Sequence, residues 1–363
     1  MRFLVAEQQH DQGLRRLCRE SVAPGWVRLA FAREPDFFLG LGVQGTFNEV
    51  LIGLERERVV AMGCRSLRPA WVNGHPAAIG YLGGLRLTPE VRRSGALARM
   101  YAACRTLHER RPAPAYLTTV LESNTEAGAL LTSGRAGLPH YLDRGRYVTY
   151  AIALNRRFRS APRREIRRGD QVPLARIAEF MNRQGARRQF FPVIREGDFG
   201  TDYLRGLTPS DFRVALGAGG AILGVAAVWD QAGFKQNVVA GYAPVLRLAR
   251  PALNGVLRLA GFRPLPQPGA PLKMRFVAFC CAEEDDPDIL RAILEQVCCE
   301  QRAGDNPFLV AGFHERDPLG AAMGNFLAFR YASRFYLVCW DDGLDFVRNL
   351  DAAPVPHLDV ATM

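Results

Sequence analysis

The residues best placed to do chemistry run from Leu85 through Arg86, Leu87, Thr88, Pro89, Glu90, Val91, Arg92, Arg93, Ser94, Gly95, Ala96, Leu97 and Ala98 to Met100. A strand ends in a short loop punctuated by Pro89 and Gly95, and a helix begins at once, so the backbone N–H groups of Ser94 to Ala98 converge on one spot. The helix dipole adds a partial positive charge there, and Arg92 and Arg93 add full ones. The chemistry is anion binding of the kind that cradles a pyrophosphate. Gly95 lets the anion approach the backbone where a Cβ would stand in its way. Downstream, a strand from Tyr116 to Leu121 leads through Glu122 to Asn124, which opens a second helix carrying Ala127 and Leu130.

Together these stretches resemble the GCN5-related N-acetyltransferase (GNAT) family, whose acetyl-CoA loop reads Val-x-Pro-x-x-Arg/Gln-x-x-Gly-x-Gly/Ala. Leu87 to Leu97 follow that pattern and depart from it at Leu97, where the family prefers Gly or Ala. The second landmark, Asn-x-x-Ala on a helix after a strand, is supplied by Asn124 and Ala127. The resemblance covers roughly residues 2 to 153. It implies an α/β (α+β) fold of two GNAT-like domains, each a mixed, mostly antiparallel central sheet flanked by helices. It also implies that the strand ending near Leu87 splays from the one starting near Tyr116, with the acyl-pantetheine between them and its amides against the backbone of Leu85 and Leu87. Arg92, Arg93, Ser94, Gly95, Ala96, Leu97, Ala98 and Asn124 complete the implied cofactor site. Acetyl-CoA, or another acyl-CoA, is then the co-substrate, without a metal. The acyl group passes to a primary amine of a small molecule or peptide by direct attack in a ternary complex.

That reaction needs a base for the attacking ammonium and an acid for the departing thiolate. The family often places a Glu on the central strand, and counting back eleven residues from Arg92 lands on Tyr81. The usual Tyr acid is replaced by Leu131, and His140 and Tyr141 follow the helix. Tyr81 and Glu122, the carboxylate nearest the splay, are the catalytic candidates. The plainer readings are a packing tyrosine and a solvated strand-end carboxylate.

The elements that must position these residues are legible from periodicity. A strand over Arg2 to Ala6 precedes an amphipathic helix through Leu14, Leu17 and Cys18, and Asn73-Gly74 marks a two-residue hairpin turn inside an antiparallel meander. Ala96, Leu97, Met100, Cys104 and Leu107 repeat at helical spacing until Pro112, and an alternating strand runs from Tyr147 to Leu154. Beyond it the order nearly repeats. A helix near Leu174 to Met181 precedes a hairpin, Phe212 to Leu216 and Ala221 to Trp229; an inserted segment follows, with a helix from Val245 to Leu259. Strand Met274 to Cys281, helix Asp288 to Gln301, strand Phe308 to Phe313, helix Leu319 to Leu327 and strand Phe335 to Trp340 complete the second half. Two copies of one topology is the economical reading. The expected organisation is an acyl-CoA-binding domain over 1–154, an arginine-rich linker over 155–168, a degenerate second domain over 169–345 and a tail over 346–363.

The second copy lacks a cradle. After Cys281 its loop reads Ala-Glu-Glu-Asp-Asp-Pro, and four carboxylates repel a pyrophosphate. Its expected roles are to complete the sheet, cover the acceptor side or mediate self-association, which admits a homodimer. Trp229 to Gln231 with Phe234 to Gln236 either line an acceptor pocket or form a solvent-exposed hairpin end.

Composition narrows the classes that remain. At 363 residues, 48% hydrophobic and 23% charged, the chain is globular and long enough for two domains. Its uncharged stretch Val214 to Trp229 contains four glycines and falls short of the roughly 20 apolar residues of a spanning helix, so no membrane partner is expected. Eight dispersed cysteines, including the adjacent pairs Cys280-Cys281 and Cys298-Cys299, fit a reduced cytoplasmic protein better than a disulfide scaffold or zinc site. The net charge of +11 favours anionic ligands, but only Lys235 and Lys273 of the 47 cationic residues are lysine. Nucleic acid is not the expected partner, although two alternatives stand: transfer from an aminoacyl-tRNA, and acyl-CoA binding without catalysis.

Overall fold

The computed structural model describes residues 1–23, 25–92, 94–135, 137–160 and 164–363. Arg93, expected in the cradle, and Pro162, inside the expected linker, lie outside the described residues.

The first half contains β1 (Arg2–Val5), α1 (Asp11–Glu20), β2 (Val22–Ala23), β3 (Val27–Ala32), α2 (Phe37–Leu41), β4 (Phe47–Glu55), β5 (Arg58–Val72), β6 (His75–Leu87), α3 (Ala96–Arg110), β7 (Tyr116–Leu121), α4 (Thr125–Leu131) and β8 (His140–Ala153). The second contains β9 (Glu165–Arg168), α5 (Leu174–Gly185), β10 (Arg188–Gln189), β11 (Phe212–Leu216), β12 (Ile222–Trp229), β13 (Gln236–Tyr242), α6 (Pro244–Leu259), β14 (Met274–Ala282), α7 (Pro287–Gln301), β15 (Phe308–His314), β16 (Ala328–Cys339), α8 (Leu344–Arg348) and β17 (Val355–Pro356). The Asn73-Gly74 turn between β5 and β6 has both residues at positive φ, as a two-residue hairpin requires.

Twelve strands form one sheet in the order β1-β4-β5-β6-β7-β16-β8-β15-β14-β12-β11-β9. That order reads as the same six-strand pattern from either edge: β1, β4, β5, β6 and β7 correspond to β9, β11, β12, β14 and β15. The last strand of each half crosses over, β16 pairing with β7 and β8 with β15, and the two crossed strands pair antiparallel at the centre. The exchange leaves neither half an unpaired inner edge. Glu165–Arg168, the end of the arginine-rich stretch, is the edge strand β9 paired with β11 rather than connector.

Helices cover both faces. On the first half, α3 buries Leu97, Met100, Cys104 and Leu107 against Leu51, Ala61 and Leu82. On the opposite face α1 buries Leu14, Leu17 and Cys18 against Val50, Ile52 and Met62. Neighbouring residues of β4 thus point to opposite layers, as strand geometry demands. In the second half α7 and α5 take the matching places through Ile289, Ile293 and Val297 and through Ile177, Phe180 and Met181.

Two expectations are corrected. Leu319 to Leu327 is not an α-helix: Pro318–Asn325 is a 3₁₀ segment capped by the Asp317 carboxylate on the Leu319 N–H, and Gly320 and Gly324 weaken any longer helix. The strand after it begins at Ala328, well before Phe335. All eight cysteines are unpaired. Among the described residues no cluster of three or more His, Cys, Asp or Glu is placed to hold a metal.

Candidate active site

The parallel strands β6 and β7 pair only at Gly80 with Tyr116 and Tyr81 with Leu117, then diverge. Among the described residues no backbone segment bonds across the gap between Leu82–Leu87 and Thr118–Leu121. Inside it, Gly84 and Leu85 together oppose Gly63 in a β-bulge, with Gly84 at φ 65°. A bulge turns backbone groups out of the ladder, here toward the gap.

The closed end of this splay is built rigidly. A Cβ on Gly80 would stand 2.0 Å from the Tyr116 ring, so the ring lies directly over the glycine. The Tyr116 hydroxyl is held by Arg65 Nε at 2.9 Å and His108 Nδ1 at 2.8 Å. Arg65 also pairs with Glu49 at 2.6 Å, and His108 Nε2 lies 2.9 Å from Asp342, which belongs to the second half.

At the open end the cradle has the expected strand-loop-helix form. Gly95, at φ 71°, is the N-cap of α3, with open space where a Cβ would go. Ser94 Oγ donates to the Val91 carbonyl at 2.8 Å, and exposed Arg92 donates to the Leu87 carbonyl at 3.3 Å. The first N–H groups of α3 have no acceptor within the helix. Ala96 is buried, Ala98 exposed, and Leu97 points into the core beside Met100, so its branched side chain packs away from the loop. Leu85 is on the surface, and Leu87 packs beside Val60 and Val91. Asn124 follows β7 and caps α4 through its Oδ1 on the Ala127 N–H.

The two catalytic candidates have different surroundings. Tyr81 is buried on the last paired rung, its ring lying against Gly83; burial pushes its phenol well above the usual range, while Arg68 and Arg33 pull the other way. Glu122 forms a two-point ion pair with Arg146 at 2.8 and 3.0 Å, and that bonding lowers its pKa. Cys64, on the Tyr81 side of the sheet, is pushed up to about 12 by burial and is no nucleophile.

The second splay repeats the geometry with another outcome. β14 and β15 pair from Met274 to Phe276 and then part, and Phe279, at φ 54°, begins a bulge like that of Gly84. This gap holds the protein's own chain. Leu358–Thr362 packs on β14 and β15, Asp359 accepts from the Phe279 N–H at 2.6 Å, and Tyr147 on β8 donates to the Leu358 carbonyl at 2.7 Å. The acidic loop is tied down by arginines: Glu283 meets Arg183, and Asp285 meets Arg188, which also pairs with buried Asp317.

The same terminal segment runs on toward the first splay. Arg68 donates to Thr362 Oγ1 at 2.8 Å, and Met363 Sδ lies 3.6 Å from Thr119 on β7. Lys235 donates to the carbonyls of Ala361 and Met363 at 2.9 and 2.8 Å, and Gln231 to that of Ala361 at 3.0 Å. Gln231 and Phe234 are therefore buried and Lys235 is tied to this segment, while Ala232 and Gly233 between them stay exposed. Burial holds the Lys235 ammonium well below its ordinary pKa, with Arg33 adding repulsion and Asp359 opposing it. Sequence reading missed Arg33, Arg68 and Asp359 as neighbours of the site; the one signal available was that Lys235 is one of two lysines among so many arginines.

No family profile and no curated protein matches the sequence. Solved structures do. Saccharomyces cerevisiae N-myristoyltransferase with bound myristoyl-CoA aligns at a TM-score of 0.61 and 10% identity over 93% of this chain and 78% of that one. A second structure of that enzyme gives 0.58 and 11% over 93% and 82%. A GCN5-related N-acetyltransferase from Anabaena variabilis aligns at 0.48 and 12% over 93% and 72%. The chain shares the fold of N-myristoyltransferase, and that likeness extends through both of its halves.

Proposed function

We propose that the first splay binds an acyl-CoA and that the protein is an N-acyltransferase passing the acyl group to a primary amine of a small molecule or peptide. One observation carries this reading. Of two splays related by the internal repeat, the second is filled by Leu358–Thr362 and flanked by an acidic loop, whereas in the first no backbone segment among the described residues bonds across the gap, which is flanked by a helix N-terminus with Arg92. The likeness to an enzyme crystallised with myristoyl-CoA supports an acyl-CoA donor without choosing its chain length.

In this reading the α3 N-terminus, Arg92 and Arg93 hold the pyrophosphate, with Ser94, Gly95, Ala96, Leu97 and Ala98 supplying the backbone of the cradle. The bulged backbone at Gly84 and Leu85, with Leu87 beyond it on the same strand, aligns the pantetheine and polarises the thioester carbonyl, and Asn124 sets the start of α4 beside it. The amine attacks the thioester carbon directly, the carbon–sulfur bond breaks, the buried Tyr81 phenol gives its proton to the thiolate, and the proton shed by the new amide nitrogen restores the phenol. Glu122, already paired with Arg146, positions charge at the edge of the gap. A second reading, acyl-CoA binding without turnover, is favoured by that ion pair, because a carboxylate engaged at both oxygens is a poor base.

Calorimetric titration with acetyl-CoA and with myristoyl-CoA, beside an Arg92→Glu/Gly95→Glu double variant, tests the donor. Saturable binding lost in the variant supports the site, and absence of binding by both donors removes it. Release of free CoA with a panel of amines and peptide N-termini then separates transfer from binding alone.

A further inference from the structure

The helix α6 has no buried residue along its whole length. Its inner side is half-buried, with Leu246, Leu253 and Leu257 on it beside polar contacts. Asn254 bonds both backbone groups of Leu265, at 2.7 and 3.2 Å, and Arg250 donates to the Pro266 carbonyl at 3.0 Å. Its outer side carries Val245, Leu248, Ala249, Ala252, Val256 and Leu259, spaced by three and four residues so that they form one apolar stripe. Leu248 is 79% exposed and Leu259 77%. Polar residues belong on the solvent side of an ordinary surface helix, whereas this one carries a second apolar side facing water.

Charge and neighbours indicate what covers it. Exposed Arg247 and Arg258 stand together along one side of the helix, between the half-buried side and the stripe, and the chain carries no acid anywhere between Asp230 and Glu283. Trp26, 68% exposed, stands at the helix N-terminus, where its carbonyl accepts from the Ala243 N–H. A convex apolar stripe with arginine along one side and a tryptophan at one end matches the composition of helices that lie in the boundary layer of a bilayer. A second copy is a poorer occupant, because it would face one acid-free cationic helix with another.

We propose that α6 and Trp26 form a membrane-surface anchor that seats this protein on an anionic lipid bilayer. The apolar stripe enters the headgroup boundary while Arg247 and Arg258 meet lipid phosphates. No described helix is long and apolar enough to cross a membrane, so the contact is peripheral.

Vesicle flotation of the full chain tests this with phosphatidylcholine alone and with about 30% phosphatidylglycerol added. The expected result is flotation with the anionic vesicles, weakened by salt, and lowered about tenfold by Leu248→Glu/Val256→Glu. Arg247→Glu/Arg258→Glu should abolish the preference for anionic lipid. These side chains are in solvent, and an unchanged circular-dichroism melt checks that each variant is folded. Failure to float with either vesicle, or flotation indifferent to both variants, overturns the proposal. A dimer in sedimentation velocity that Leu248→Glu dissociates, without flotation, overturns it in favour of a second copy.

Discussion

The backbone N–H of Phe279 donates to the Asp359 carboxylate at 2.6 Å, and the same side chain accepts from the Ala361 N–H at 2.9 Å. Burial raises the pKa of Asp359 in the fold, against the pull of those two N–H groups, Arg68 and Lys235. A carboxyl raised on folding binds more protons folded than unfolded. Its stabilisation is therefore complete below the unfolded value of about 3.9 and is lost as pH rises through the folded value. Asp359→Asn should flatten that fall in thermal melts taken across the acid range. Asp359→Ala orphans two buried donors and should cost about 2 kcal/mol at neutral pH. Equal melts for both variants at every pH would refute the account.

Gly80 and Gly95 should respond very differently to alanine. At Gly80 the new Cβ meets the Tyr116 ring at 2.0 Å, and moving that ring breaks its bonds to Arg65 and His108. A loss of about 3 kcal/mol in denaturant unfolding is expected. At Gly95 nothing lies within 4 Å, so only its φ of 71° opposes the change, at about 1 kcal/mol. Comparable losses at the two sites would show that the closed end of the splay is not rigid.

Tyr81→Phe separates chemistry from binding and rests on the proposed transferase reading. Because burial raises the phenol, it stays protonated throughout the physiological range and acts as a donor. Removing the hydroxyl should lower kcat about 100-fold and leave acyl-CoA affinity unchanged. An unchanged kcat would leave Tyr81 as packing.

His357 lies against the Phe191 ring, with centroids 4.5 Å apart, and burial, assisted by Arg188 and Arg68, holds its pKa well below the ordinary value. A histidine depressed on folding stabilises the fold above the unfolded value of about 6.5, and that contribution is lost as pH falls. Thermal melts should drop between about pH 7 and pH 5, and His357→Phe should make the drop shallower. An identical slope would assign the acid sensitivity to another group such as His314, whose pKa burial also lowers.

Sequence alone determined the strand–loop–helix passage from Leu87 to Ala96 and most of the element order. Pro89, Gly95 and the helical spacing from Ala96 to Leu107 are local signals, and turns, caps and periodicity act over only a few residues. Where local signals were weak, as at Pro318–Asn325 with its two glycines, the element type was misread. Tertiary structure decided everything that joins distant residues. It set β16 between β7 and β8, carried Asp359 to Phe279 and Thr362 to Arg68, and buried Lys235 against the end of the chain. The repeat makes the two splays alike in backbone. Which one is filled depends on where Leu358–Thr362 packs, and that is fixed by burial and hydrogen bonding between distant residues rather than by any pattern along the chain. The outward stripe of α6 follows the same logic: its period is written in the sequence, but only the fold shows that this one of its two apolar sides faces solvent.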